Sequence, residues 1–228
     1  MFFRLRVDDE SQEWVLDSFH WAIDQGLLNA QTRLILPTAA NFPAPKDKTL
    51  AGPALVKAIQ SHLNISYVPI EVHPLDMLPA EYRIDYNAVS EIGGTWQTDG
   101  DTAVITYDPA LTERPLAFLS VLIHEVMHQR LHMTDMSMPG GFEAEELSTD
   151  LHCITAGFGS IQMAGAEQSG WQGYLRQETR AFALALFLDL TGEALPNLPP
   201  RSNRMVRKGG ELVDRWRIEV EALRASLY

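Results

Sequence analysis

The chain has 228 residues, 46% of them hydrophobic and 21% charged, with a formal net charge of −12. That size and balance suit one soluble domain with a sizeable core, and the negative charge argues against a general binder of nucleic acid or of anionic membrane. Cys153 is the only cysteine, which excludes an intrachain disulfide and any CxxC site.

In chain order, the N-terminus Met1-Phe2-Phe3-Arg4-Leu5-Arg6-Val7-Asp8-Asp9 lacks the apolar run of a secretory leader. Ser11 to Gly26 reads as a helix, with Trp14, Val15, Phe19, Ala22 and Ile23 on one side. A short strand is expected over Arg33 to Pro37, then a loop to Lys48 and a helix over Leu50 to Leu63. The period then shortens. Tyr67 to Val72 and Ile92 to Gln97 read as strands, Thr98 to Asp101 as a turn, and Thr102 to Tyr107 as a further strand. From Arg114 the signal is helical, with helices expected over Pro115 to Met133, Glu143 to Gly157, Leu175 to Leu190 and Glu211 to Leu227. The longest apolar stretch, Ala181 to Leu188, is too short to span a bilayer, so a cytoplasmic protein without membrane contact is expected. Strands first and helices after predict an α+β fold: a small mixed sheet and a mostly helical C-terminal half, within one domain over residues 1–228. Its parts would be residues 1–89, which carry no assignable motif, a core over 90–190 and a helical extension over 191–228.

The chemistry concentrates in His124-Glu125-Val126-Met127-His128. Residues four apart share a helical face, so His124 and His128 can present two imidazoles to one cation, and Glu125 beside them can serve as general base. Leu116, Phe118, Leu119, Val121, Leu122, Ile123, Val126 and Met127 make this helix apolar over much of its circumference. It is therefore expected to be buried, where paired imidazoles need partners. His132 continues the spacing, but its backbone lies about 12 Å along the axis from that of His124, too far to converge on the same ion. The metzincin continuation is excluded, because Leu131 and Thr134 stand where Gly and His would be required.

The third ligand is expected in Glu143-Ala144-Glu145-Glu146-Leu147-Ser148-Thr149-Asp150. Glu146 and Asp150 are four apart: Glu146 would complete a His2Glu zinc site, and Asp150 would accept the outer ring N–H of a ligating histidine. Glu143 and Glu145 have Leu147 and Thr149 at the matching position, so Glu146 is preferred.

HEVMH followed eighteen residues later by Glu146 and then Asp150 resembles the gluzincin arrangement of thermolysin-like zinc peptidases. A longer stretch is similar to a set of bacterial HExxH proteins of unassigned substrate. It includes Ala103 to Tyr107, Leu122 to Glu125, Leu147 to Leu151, Gly157 to Gly159, Gly173 to Leu175 and Phe182 to Phe187. The resemblance implies a zincin-like fold, a bound Zn2+ held by His124, His128 and Glu146, and Asp150 as the residue that orients a ligand histidine. It implies a hydrolase acting on a peptide or protein substrate, with Glu125 transferring the proton between water and the leaving nitrogen. Thr102 to Tyr107 resembles the edge strand on which zincins lay an extended peptide. Tyr174 and Arg180 are candidate donors to the oxyanion, Tyr174 being the catalytic candidate beside Glu125.

Other features carry plainer expectations. Cys153 reads as a small buried side chain, and Met133 to Gly141 as a connection that could also cover the site. The stripe Leu212, Val213, Trp216, Val220, Leu223 and Leu227 reads as a docking face, and Arg201, Arg204, Arg207 and Lys208 as an intramolecular pairing cluster. His20, His62, His73 and His152 lack ligand spacing. The alternative function is a zincin-fold regulatory or partner-binding protein with restricted or no proteolysis. A carboxylate-bridged di-iron enzyme is disfavoured: Glu125-x-x-His128 is half its signature, and Thr149 stands where the second half needs Glu.

Overall fold

The structure, a computed structural model, describes residues 5–75, 93–98, 102–134, 138–170 and 173–228. The helices are α1 (Asp9–Asp24), α2 (Ala51–His62), α3 (Pro115–His132), α4 (Glu145–Cys153), α5 (Gly159–Gln168), α6 (Gln177–Thr191), α7 (Pro200–Val213) and α8 (Arg217–Ser226). The strands are β1 (Ile70–Pro74), β2 (Gly94–Thr98) and β3 (Ala103–Tyr107). Two compact units result, one from residues 37–133 and one from residues 1–36 with 134–228. The fold is α+β, mostly helical, with a small mixed sheet.

In the unit of residues 37–133 the strand order is β1-β3-β2. β3 pairs parallel with β1, Ile70 opposite Ala103, and antiparallel with β2, Gly94 opposite Tyr107. The β-branched run Val104-Ile105-Thr106 suits this central place, and the hydroxyls of Thr95 and Thr106 meet across the β2–β3 ladder at 2.7 Å. Helix α3 packs on β2, β3 and α2, and Leu122, Ile123 and Val126 are wholly buried on it. This corrects the expectation that Thr102 to Tyr107 forms an edge. Both sides of β3 are hydrogen-bonded, because β1 returns parallel beside it, a pairing that strand order along the chain does not reveal. β1 itself starts three residues later than expected. Asn64, at φ 57°, and the Val68 N–H to Ile65 carbonyl bond make Leu63 to Val68 a turn, which leaves Tyr67 exposed. Ile92 and the expected turn residues 99–101 lie outside the described residues.

The second unit centres on α6, where Ala181 to Leu188 are all buried. The apolar stretch is thus a core helix, and no helix among the described residues is long and apolar enough to cross a membrane. Helices α1, α5, α7 and α8 surround it. The approach of α7 depends on Gly209, where a Cβ would stand 2.7 Å from the Ala181 carbonyl oxygen. α1 begins at Asp9, ahead of the expected Ser11, because the Asp8 carboxylate caps it by accepting the Ser11 N–H at 2.8 Å.

Arg33 to Pro37 forms no strand and joins no sheet among the described residues. The Ile35 N–H instead donates to the Gly157 carbonyl at 2.9 Å, and the Ser160 hydroxyl to the Ile35 carbonyl. Gly157 sits at φ 95° in a π turn, Ile154–Phe158, and a Cβ there would lie 2.3 Å from the Arg33 carbonyl oxygen. The helix expected to end at Gly157 therefore kinks and continues as α5. The final expected helix is also two, α7 and α8, joined by a 3-10 turn over Asp214–Trp216. Its apolar stripe docks within the unit: Leu212, Val213, Val220 and Leu223 are buried, and the Trp216 indole N–H donates to Gln12. Lys208 pairs with Glu211, and Arg201 donates to Gln177. In the connection before α4, residues 135–137 lie outside the described residues. Met138 is buried, and Pro139 accepts from the Trp14 indole at 3.0 Å.

Candidate metal centre

The HEVMH segment lies in the third and fourth turns of α3, helical as its spacing predicts. Glu125 and His128 are buried, at 4% and 8% exposure, and His124 is half-buried. The two Nε2 atoms face each other at 3.1 Å, with the ring planes at 80°. Neutral imidazoles at that distance can share one proton in an N–H···N bond; otherwise two lone pairs point at each other. The fit to zinc is close: ligand nitrogens about 2.0–2.1 Å from a tetrahedral ion stand about 3.3 Å apart.

Strand β2 supplies the surroundings. At Gly94 a Cβ would lie 2.9 Å from the Thr106 carbonyl oxygen and 3.1 Å from Glu125 Oε1, so the strand backbone can lie against the carboxylate only as glycine. Two residues on, and so on the same face, Trp96 places its indole nearly parallel to the His128 ring, 10° between planes and 5.8 Å between centroids. Its N–H donates to the buried Gln129 at 3.0 Å, and its rings also contact the exposed His132. Gly94 and Trp96 are functional neighbours that the HEVMH spacing does not point to. The Gly93-Gly94 pair opening a strand, with an aromatic two residues later, was the available signal.

Glu146 lies half-buried in the first turn of α4. His124, His128 and Glu146 each offer a ligand atom within 4.8 Å of the others. The two nitrogens are at metal spacing. Two imidazoles and one carboxylate are a donor set that zinc accepts.

Further along α4, Asp150 is almost wholly buried. Its Oδ2 accepts the Tyr174 N–H at 2.9 Å, the Leu175 N–H at 2.8 Å and an Arg180 guanidinium N–H at 2.9 Å. Gly173, at φ 118°, starts this turn, and a Cβ there would stand 2.6 Å from Arg180 Nη2. Arg180 is thus a buried ion-pair partner, with its Nε lacking a hydrogen-bond partner among the described residues. Tyr174 has its backbone fixed and is 46% exposed.

One turn after Ser148, His152 is fully buried, and desolvation pushes its pKa down to about 3. The Thr155 hydroxyl donates to the His152 carbonyl, so its contact with Nδ1 at 3.2 Å requires the proton on Nδ1. His152 is therefore a neutral core histidine, stacked at a tilt on Trp21. His20 pairs with Asp24, and His73 with Glu71, on the surface. Cys153 is buried. No family model matches this sequence, and no curated protein or solved structure matches it.

Proposed function

We propose that this chain is a zinc-dependent hydrolase of gluzincin type with a zincin-like core, acting in the cytoplasm as a metallopeptidase on peptide or protein amide bonds. The observation that carries the reading is the 3.1 Å approach of the His124 and His128 Nε2 atoms on a buried helix, with Glu125 buried between them in sequence. Glu146 supports it as the third donor of the group.

Zinc held by these residues would supply Lewis acidity and would make water acidic enough to deprotonate near neutral pH. Glu125 accepts the proton from the attacking water and returns it to the leaving nitrogen. Asp150 is the residue we assign to orienting a ligand histidine, and Tyr174, whose backbone N–H donates to Asp150, is the residue we assign to the oxyanion. With β3 paired on both sides, an extended substrate is assigned to β2, which ends the sheet among the described residues and carries Gly94 beside Glu125.

The test is hydrolysis of a peptide library by zinc-loaded protein, wild type against Glu125→Gln. The variant keeps its zinc and loses a factor of about 10²–10⁴ in kcat. Equal hydrolysis by the two proteins would overturn the mechanism.

A further inference from the structure

We propose that Trp96 is a positioning residue of the metal centre, holding the His128 imidazole in its ligating plane. The inference rests on the metal-site reading above and adds a residue to it. Trp96 is itself fixed at two places. Its backbone is locked in the β2–β3 ladder opposite Ile105, and its indole N–H donates to Gln129, the buried neighbour of His128 on α3. An indole pinned in this way has no freedom to rotate about χ2. Its near-parallel face then holds the plane of the His128 ring, in which Nε2 is turned toward His124. The other rim of the indole meets the His132 ring at 5.4 Å. Trp96 thus contacts two imidazoles of the same helix face and orders the one whose nitrogen converges on the centre.

Plain packing predicts something different. A tryptophan that only fills space could be replaced by leucine with a loss of stability and no change in how tightly the folded protein holds zinc. A residue that fixes a ligand ring acts on metal affinity, in which supporting contacts typically count for about 10–100-fold. It also acts in proportion to how much of its aromatic plane is kept.

Zinc dissociation constants are measured by competition with a chromophoric chelator for wild type, Trp96→Phe, Trp96→Leu and Gln129→Leu, alongside melting of the metal-free proteins. Trp96→Leu weakens zinc at least about tenfold. Trp96→Phe, which keeps a ring, recovers most of that loss, and Gln129→Leu falls between. Unchanged affinity in Trp96→Leu, whatever its melting temperature, would overturn the inference and leave the metal site standing. A wild type that binds no zinc would instead remove the metal reading itself, and with it the basis of this role.

A second measurement does not depend on the leucine variant folding. Cu2+ added to the metal-free wild type quenches tryptophan emission, and the quenched fraction drops sharply in Trp96→Phe because the indole beside His128 is gone. An equal quenched fraction in the two proteins would also overturn the inference.

Discussion

Asp150 and His152 on α4 take their partners from nearby protein groups: two backbone N–H groups and Arg180 for the carboxylate, the Thr155 hydroxyl for the imidazole. On α3, His124 and His128 turn ring nitrogens toward each other, and glycine holds the strand close to Glu125. Both helices bury histidine and acid. On α4, Asp150 and His152 hold the turn at Gly173 to Leu175 and the core, whereas on α3 two basic nitrogens are collected at one point. A histidine on an apolar helix therefore does not point to a metal by itself; the zinc proposal rests on the convergence of two.

The largest effect is expected at Asp150. Asp150→Ala leaves Arg180 buried without its counter-charge and frees the N–H groups of Tyr174 and Leu175, so it should cost about 3–5 kcal/mol in denaturant unfolding. A loss below about 1 kcal/mol would mean that the pair is not the anchor described. Gly94→Ala drives a methyl group against the Thr106 carbonyl and Glu125, and should cost about 1–3 kcal/mol. It should also lower kcat in the zinc-loaded protein. A fully active, equally stable variant would show that β2 does not crowd the carboxylate.

The smallest effect concerns pH. His152 has a folded pKa of about 3, below its unfolded value near 6.5, so the unfolded chain binds the proton first as pH falls. Its contribution is complete above about pH 6.5 and declines by about 1.4 kcal/mol per pH unit between there and about pH 3. His152→Asn keeps a donor for Thr155 and cannot titrate, so unfolding free energies from pH 7 to 5 should fall less steeply than in wild type. Parallel slopes would contradict a neutral buried imidazole.

The site was legible where spacing is local. HEVMH and the pair Glu146 and Asp150 each lie within one or two helical turns, and a period of 3.6 places them without knowledge of the fold. Gly94 and Trp96 were not legible, because a strand some 30 residues upstream gains its meaning only from the helix it covers. The sheet order was hidden for the same reason: β1 pairs with β3 over the intervening β2, and no turn residue records a parallel partner. Arg33 to Pro37 has the composition of a strand, yet its hydrogen bonds go to the π turn at Gly157, whose glycine is the only local trace of that contact. The break between α7 and α8 was missed because Leu212 to Leu227 keeps one apolar stripe through the 3-10 turn.

The most direct test of the central claim is the zinc content of protein purified without chelators, for wild type, Glu146→Ala and Glu145→Ala. About one zinc per chain is expected in wild type and in Glu145→Ala, and a clear loss in Glu146→Ala. Wild-type protein that holds no zinc even after the metal is added back would contradict that claim.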